Sequence, residues 1–590
     1  MQQPKDFYTQ QLNSLQEKLA RTTKRLQFLG TLRLAAFLGI IAIIYFFFHS
    51  TFVWVPAAIV LTILFFYLVA TYTNVNYIKK ETQELITINE TEIRALNRDF
   101  HHLPNGKEFI SGAHYFSNDI DLFGPRSFYQ YLNRTTIEEG SKKLAAVLTS
   151  NTIDHIIEKQ DVLKELSLKA KWRQLFSATA KLVKVETTTA FIINWLQQYK
   201  RFTLKKVIVL PYVFSAVSIV TIVLYATNIV SLNLLLVWFF IGLAITGKTL
   251  KQVNELSKNA SNSQDTFLQY HKLLLLIENE HFNTPTLQKK FTALQHEKEK
   301  ASGIIQQFSK LLSALDQRNN MLFGVFANGF LLWDLWQSIR IENWMEKYKN
   351  NVAQWFEVIA YVDAQNSLSN FVFNHPNYTF PAINSNQEAT IAAENLGHPL
   401  VDEQQLVANN FTIHKSNFFI ITGANMAGKS TFLRTVSLHI IMANCGLPVC
   451  ATKSSYAPIK LITSMRTSDS LQDDTSYFFS ELKRLKMIVD AIQEDEYFIV
   501  LDEILKGTNS KDKAEGSQKF VEKLSASKST GIIATHDLSL CQISEENKLI
   551  KNYYFDAQII ENELYFDYKL KQGICTNMNA SFLLQKMKIV

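Results

Sequence analysis

The chain has 590 residues, 47% of them hydrophobic and only 19% charged, with a formal net charge of +7; a typical soluble domain carries about 25% charged residues. The deficit is local. No Asp, Glu, Lys or Arg occurs in the 45 residues from Leu34 to Ile78 or in the 41 from Val207 to Gly247, which excludes an ordinary cytosolic protein, and the long remainder excludes a many-helix channel or carrier.

The positive balance permits nucleic acid or anionic lipid as a partner without requiring either. Four cysteines (Cys445, Cys450, Cys541, Cys575) form no disulfide framework and show no zinc spacing with a His pair, so reduced thiols are expected.

In chain order, residues 1–31 predict a cytoplasmic amphipathic helix. Leu12, Leu15, Leu19, Thr22, Leu26 and Leu29 alternate spacings of three and four. That pattern fits either a coiled-coil seam or a single helix packed on its own chain. Residues 32–71 predict a first transmembrane hairpin, with spans at about Leu32–His49 and Phe52–Thr71 and with Ser50, Thr51 and Pro56 around the turn. A helical connector is expected over 72–118 and core or lever helices over 119–206 and 248–394, where Leu, Lys, Gln and Glu abound and Gly and Pro are few. Residues 207–247 predict a second hairpin, Val207–Ala226 and Ile229–Gly247, turning at Thr227-Asn228.

Basic residues flank both hairpins: Lys18, Arg21, Lys24, Arg25 and Arg33, then Lys79 and Lys80; Lys200, Arg201, Lys205 and Lys206, then Lys248 and Lys251. The turns carry no charge. The positive-inside rule therefore places the N-terminus, core and C-terminal domain on the cytoplasmic side of a cell's inner membrane. Apart from His49 at a span's end, no ionisable residue lies within a span, so the hairpins read as anchors, not a transport route. A third apolar stretch, Met321–Trp333, lies between Arg318 and Asp334. It is too short to span and predicts a buried helix of the soluble part.

Pro376 to Pro399 is turn-rich and marks a boundary. Over 395–590 short β-rich runs (Asn417–Thr422, Tyr497–Leu501, Gly531–Ala534) alternate with helical ones, the pattern of a mostly parallel sheet covered by helices. The expected fold is therefore multidomain, α plus α/β.

The first of those runs leads into Gly423-Ala424-Asn425-Met426-Ala427-Gly428-Lys429-Ser430-Thr431 and a helical run, which matches G-x-x-x-x-G-K-[ST] in its strand–loop–helix setting. The glycines let backbone N–H groups close on phosphate oxygens, and the helix N-terminus adds its dipole. Lys429 can reach the β- and γ-phosphates and Ser430 can ligate Mg²⁺. The second run ends in Asp502-Glu503. Asp502 is expected to hold the magnesium shell, and Glu503 to polarise the attacking water. The third ends at Ala534-Thr535-His536, where a His can sense the γ-phosphate or position water. The candidate catalytic groups are Glu503, His536 and Lys429, with ATP and Mg²⁺ as ligands.

At these residues the chain resembles the MutS family of ABC-type ATPases. Asn425-Met426 matches the family's phosphate loop, with Ala424 and Ala427 in place of its Pro and Gly. Asp502-Glu503-Ile504-Leu505-Lys506-Gly507-Thr508 is similar to its Asp-Glu-Ile-x-x-Gly-Thr element, and Asn395-Leu-Gly-His398-Pro399-Leu400 to the segment that opens its ATPase domain. Ser476-Tyr-Phe478-Phe-Ser-Glu481 resembles its signature element, although Asp474 stands where the family has Gly. Tyr568-Lys-Leu-Lys-Gln-Gly573 is similar to its closing strand, and Asp121-Leu-Phe-Gly124 onward to the start of its helical core. The first 118 residues do not match.

The resemblance implies a homodimer paired head to tail, with Ser476 touching the partner's γ-phosphate. It places the adenine near Leu406–Asn409, Leu406 standing where an aromatic is common. It also implies binding of mismatched or branched DNA. Lys169, Lys171, Arg173, Lys181 and Lys184 are available for phosphate contacts, or else form a solvated or lipid-facing surface. A hairpin stands where the repair proteins carry their mismatch reader, which leaves open an engine that acts on a membrane or protein partner without DNA. An ABC-type transporter is the weaker alternative, since the spans lack polar lining and no Leu-Ser-Gly-Gly-Gln occurs.

Overall fold

The computed structural model describes residues 3–47, 51–183, 187–204, 207–296, 299–384, 386–466, 477–505, 509–561 and 563–575. Helix α1 (Pro4–Phe47) and helix α2 (Thr51–Leu96) pack against each other along their length. At 1.5 Å per residue each is about 65–70 Å long, twice what a bilayer needs. The helix therefore runs on through residues 31 and 71, where the sequence suggested a change of element. Both are long and apolar enough to cross a membrane. The leucine seam meets α2 of the same chain: Leu26 and Leu29 are buried with Ala36, Leu68 and Val75. Of the two open readings of the seam, the structure shows the helix packed on its own chain.

The helical core contains α3 (Glu138–Thr149), α4 (Ile156–Leu168), α5 (Ala170–Lys181) and α6 (Thr189–Gln198). The second apolar run follows as α7 (Leu210–Ala226) and α8 (Leu232–Gly247), of 17 and 16 residues. They are shorter than the expected spans because the ends unwind, Asn228 turning at φ 60°. Then α8 bends by 67° into α9 (Leu250–Asn279). Next come α10 (Ala301–Asp316), α11 (Met321–Leu331) and the 42-residue α12 (Trp333–Asn374). Apolar faces of α5, α6, α9, α10 and α12 form one core around Phe267, Phe308, Trp344 and Trp355. Phe308 and Trp344 stack at 3.8 Å. Asp363 of α12 accepts from the Thr136 and Ile137 N–H groups and so anchors the N-terminus of α3.

Helix α11 departs from expectation. It is not a buried helix: Met321 is 82% exposed and Leu322 73%, and the buried positions are Gly324, Ala327 and Gly329. It packs on α7 and α8, outside the soluble core.

The C-terminal region carries β1 (Ala382–Ile383), β2 (Ala389–Leu396), β3 (Asn409–His414), β4 (Phe418–Gly423), β5 (Lys453–Tyr456), β6 (Lys460–Ser464), β7 (Tyr497–Asp502), β8 (Thr530–Ala534), β9 (Ile550–Phe555) and β10 (Leu570–Gln572). Its larger sheet has the order β10-β9-β4-β8-β7-β6. Strands β6, β7, β8, β4 and β9 are parallel and β10 is antiparallel to β9. The parallel strands read as unbroken apolar runs because helices cover both faces: every residue of β4 and β8 is buried. The helices are α13 (Lys429–Asn444), α14 (Tyr477–Glu494) and α15 (Ser510–Ser525). A smaller sheet, β1-β5-β2-β3, packs through Phe411 against Phe419 and Phe432.

Candidate functional site

Parallel register builds the site. Ala534 of β8 pairs with Ile421 of β4 on one side and with Asp502 of β7 on the other. The loops that leave these three strands therefore emerge together at one edge of the sheet, where open α/β sheets hold ligands. The first loop is Gly423–Gly428. Gly423 has φ 143° and a Cβ there would lie 2.5 Å from the main-chain oxygen of Phe555, so only glycine fits. Met426 at φ 67° and Gly428 at φ 103° complete the tight turn. Gly428 caps α13, whose first turn points its free N–H groups into the loop.

The Lys429 ammonium, largely buried, donates to the carbonyl oxygens of Gly423 at 2.7 Å and Ala424 at 3.0 Å. It also lies 3.2 Å from Nε2 of His536. Burial lowers its pKa, opposed by the charges of Asp502 and Glu503. The Ser430 hydroxyl donates to Asp502 Oδ2 at 3.0 Å. His536 Nε2 is also 3.2 Å from Glu503 Oε1. Nε2 thus has a donor on one side and an acceptor on the other. Unprotonated, it accepts from Lys429; protonated, it donates to Glu503. Burial, then the Lys429 charge, lowers the His536 pKa, so the ring is neutral at pH 7. Glu503 sits at φ 52° and is fixed by its N–H on the Ala534 oxygen at 2.9 Å. A left-handed residue without a glycine's freedom costs about 1–2 kcal/mol, a strain held here by the surrounding sheet.

These groups rim a cavity of about 670 Å³. Ala424, Asn425, Met426, Gly428, Ser430, Thr431 and Leu406 all line it, with Lys429, Asp502, Glu503 and His536. Gly423 and Ala427 lie behind it, Ala427 fully buried in the core. Ser476 and the segment 506–508 fall outside the described residues. Glu481, at the start of α14, is buried. The cavity also contains residues that the sequence reading quoted without a role. Gly397 lets the chain pass under Leu406, since a Cβ there would meet Leu406 Cδ2 at 2.7 Å. His398 accepts from the Leu400 N–H on Nδ1, and burial holds its pKa down at about 4. Tyr568 closes the far side, its carbonyl held by Asn409 at 3.0 Å. The signal for it lay in the closing strand, but only the fold brings residue 568 to residue 428.

The donor set fits a nucleotide with a divalent cation. A glycine loop, a helix N-terminus and a lysine offer positive potential to phosphates. Ser430 and Asp502 offer adjacent hard oxygens. Among the described residues no group of three His, Cys, Asp or Glu forms a self-sufficient metal site.

The basic helix face does not match the expectation. Arg173 is buried and donates to the Leu166 oxygen and Asn370 Oδ1, both at 2.9 Å. Lys169 binds Glu280 at 2.6 Å and the His281 oxygen at 2.7 Å. Arg173 is used inside the core, and Lys169, partly exposed, is already paired with a carboxylate. Lys171 and Lys181 are exposed, and Lys184 lies outside the described residues.

The fold and loop together define an α/β domain with a phosphate-type glycine loop between a buried parallel strand and a helix. Residues 419–587 match the family model of MutS domain V. MutS protein homolog 4 of Homo sapiens is 32% identical over 201 residues, 32% of this chain and 21% of that protein. DNA mismatch repair protein MutS of Staphylococcus haemolyticus (strain JCSC1435) is 29% identical over 243 residues, 40% of this chain and 27% of that protein. That of Persephonella marina (strain DSM 14350 / EX-H1) is 30% identical over 240 residues, again 40% and 27%. Through this domain the chain is similar to the MutS family. The match spans about a quarter of the length of these relatives.

Proposed function

We propose that the chain is a membrane-anchored ATPase of the MutS type that binds and hydrolyses Mg²⁺·ATP in the cavity at β4 and α13. The observation that carries this is the meeting of Lys429, Ser430, Asp502, Glu503 and His536 at one rim within hydrogen-bond distances. Bound Mg²⁺ would supply charge neutralisation on the β- and γ-phosphates, held from the protein side by Ser430 and Asp502. Lys429 exchanges its two loop carbonyls for phosphate oxygens. Glu503 orients a water and accepts its proton. His536 holds Glu503 in place when Nε2 is protonated. The adenine fits between Leu406 and Tyr568. Lys429→Ala tests this reading: ATP turnover should be lost, and full turnover in that variant would overturn it.

The site is completed by a second copy of the chain, which brings Ser476 to the γ-phosphate in a head-to-tail homodimer. Crosslinking in detergent with ATP tests it, and a strict monomer with full turnover would refute it. The hairpins α1–α2 and α7–α8 anchor the protein in the inner membrane with the N-terminus, core and ATPase domain cytoplasmic; the exposed apolar surfaces of Val220, Val237 and Phe240 support this.

Two readings of the engine's object rest on different observations. The relatives named for DNA mismatch repair favour mismatched or branched DNA. The burial of Arg173 and the pairing of Lys169 with Glu280 favour a membrane or protein partner. Duplex and branched DNA titrated against salt separates them: a steep salt slope supports DNA, and no binding at low salt excludes it.

A further inference from the structure

We propose that α11 is a third membrane element: a short helix that dips into the acyl-chain region beside α8 without crossing. This rests on the reading of α7–α8 as a membrane hairpin. Met321, Leu322, Val325 and Phe326 form one face at i, i+1, i+4 and i+5, and they are 82%, 73%, 42% and 59% exposed. Gly324 and Ala327 lie on the opposite face, while Gly329 follows the exposed face one turn on, where α8 covers it, so the first turns of this helix direct their apolar bulk outward. A helix of a water-soluble core does the reverse.

The inward contact is of backbone on backbone. A Cβ on Gly242 of α8 would lie 2.2 Å from the Gly329 oxygen, and one on Gly329 would lie 2.1 Å from the Phe239 ring. Close approach through small residues is how helices associate where the surrounding solvent is lipid. Phe239 also meets Phe330 at 5.2 Å and Phe326 at 6.0 Å. The outward face of α11 is therefore continuous with that of α8, where Val237 and Phe240 are exposed. Phe239 precedes the end of α8 at Gly247 by eight residues, which is about 12 Å along the axis. The 11 residues of α11 span about 16 Å, too short to cross the hydrocarbon, and the Arg318–Asp334 pair joins the segments at its two ends.

The base of α11 has the character of a membrane interface. Arg318 pairs with Asp334 at 2.9 Å and donates to Asn254 at 2.8 Å. Trp333, Trp336 and Tyr212 form an aromatic group with contacts of 5.7 and 5.9 Å. Arg340 lies over Trp336. Aromatic rings backed by basic groups mark the headgroup level. Leu332, buried at φ 50°, turns the chain there and sends α12 back out.

The test uses the full chain in phosphatidylethanolamine–phosphatidylglycerol vesicles. Phe326→Cys (α11), Val220→Cys (α7) and Lys523→Cys (α15) are labelled singly with an environment-sensitive fluorophore; the four natural cysteines are buried. Quenching by brominated acyl chains is compared with quenching by aqueous iodide. The proposal predicts acyl-chain quenching at 326 and 220, and iodide quenching only at 523. Acyl-chain quenching at 220 with iodide quenching at 326 would overturn the role of α11 and leave the anchor reading intact. A label at 326 shielded from both quenchers would show a protein partner instead of lipid and would also overturn it. Iodide quenching at 220 would remove the anchor reading, and the inference with it.

Discussion

Arg98 ties the α1–α2 hairpin to the cavity proposed to hold the nucleotide, and its removal has a calculable effect. Helix α2 ends at Leu96. Two residues later, Arg98 donates to the Pro399 oxygen at 2.8 Å and the Val401 oxygen at 3.1 Å, with its guanidinium 5.1 Å from the Tyr131 ring. His398 and Val401 line the cavity wall. A hydrogen bond from a charged donor contributes about 1.5–3 kcal/mol. If ordering of this wall is linked to nucleotide binding, loss of the pair in Arg98→Ala costs at least one such bond. That converts to about 10–100-fold weaker affinity. The assay is equilibrium binding of a fluorescent ATP analogue to the full chain in detergent. Arg94→Ala serves as the control, because Arg94 forms an exposed pair with Asp99 and neither residue lines the cavity. Equal affinity in Arg98→Ala and wild type, with unchanged melting, would refute the coupling.

Acidification should unfold the protein from about pH 6.5 downward. Burial holds His375, His398 and His439 at about 4, below the unfolded value of about 6.5, so the unfolded chain takes up their protons first and stability falls. Asp363, raised to about 6 by burial, works in the opposite sense below pH 6. The net loss there is about two protons, or about 2.7 kcal/mol per pH unit, and His439→Gln should reduce the slope of stability against pH in urea titrations by about half. Gly423→Ala should cost about 2 kcal/mol or more through its φ of 143° and the clash with the Phe555 oxygen, and should abolish nucleotide binding; a stable, ATP-binding variant would contradict the loop geometry. Arg173→Ala should lower stability by about 3 kcal/mol by removing the buried donors to the Leu166 oxygen and Asn370 Oδ1, and any DNA binding should keep its salt slope; a slope reduced by about one would place Arg173 on phosphate instead.

The C-terminal α/β region was legible because its signals are local. A glycine loop after an apolar strand, Asp502-Glu503 at a strand end and His536 at another need only the parallel register to meet. Tyr568 and His398 were harder to place, since they sit in segments that resemble the family's but reach the cavity only through the fold. Of the basic residues Lys169, Lys171, Arg173 and Lys181, Arg173 departs from a surface position for a related reason. Arg173 repeats like a surface residue in the sequence, but Tyr8 of α1, Glu92 of α2 and Asn370 of α12 surround it. Helix α11 differs from the expectation because an apolar composition does not say which residues face outward; Gly329, which meets α8, and Gly324, which meets the Arg318 main chain, were the better signal. The α1 seam left two readings open because three heptads do not say which chain supplies the partner.

The central claim is that Glu503 and its neighbours hydrolyse ATP in a membrane-anchored protein. The most direct measurement is Mg²⁺·ATP turnover by the full chain in lipid vesicles, wild type against Glu503→Gln. The substitution keeps the size of the side chain and removes the base. Turnover should fall by about 10²–10⁴-fold with ATP binding retained. Undiminished turnover in Glu503→Gln, or none in the wild type, would contradict the account.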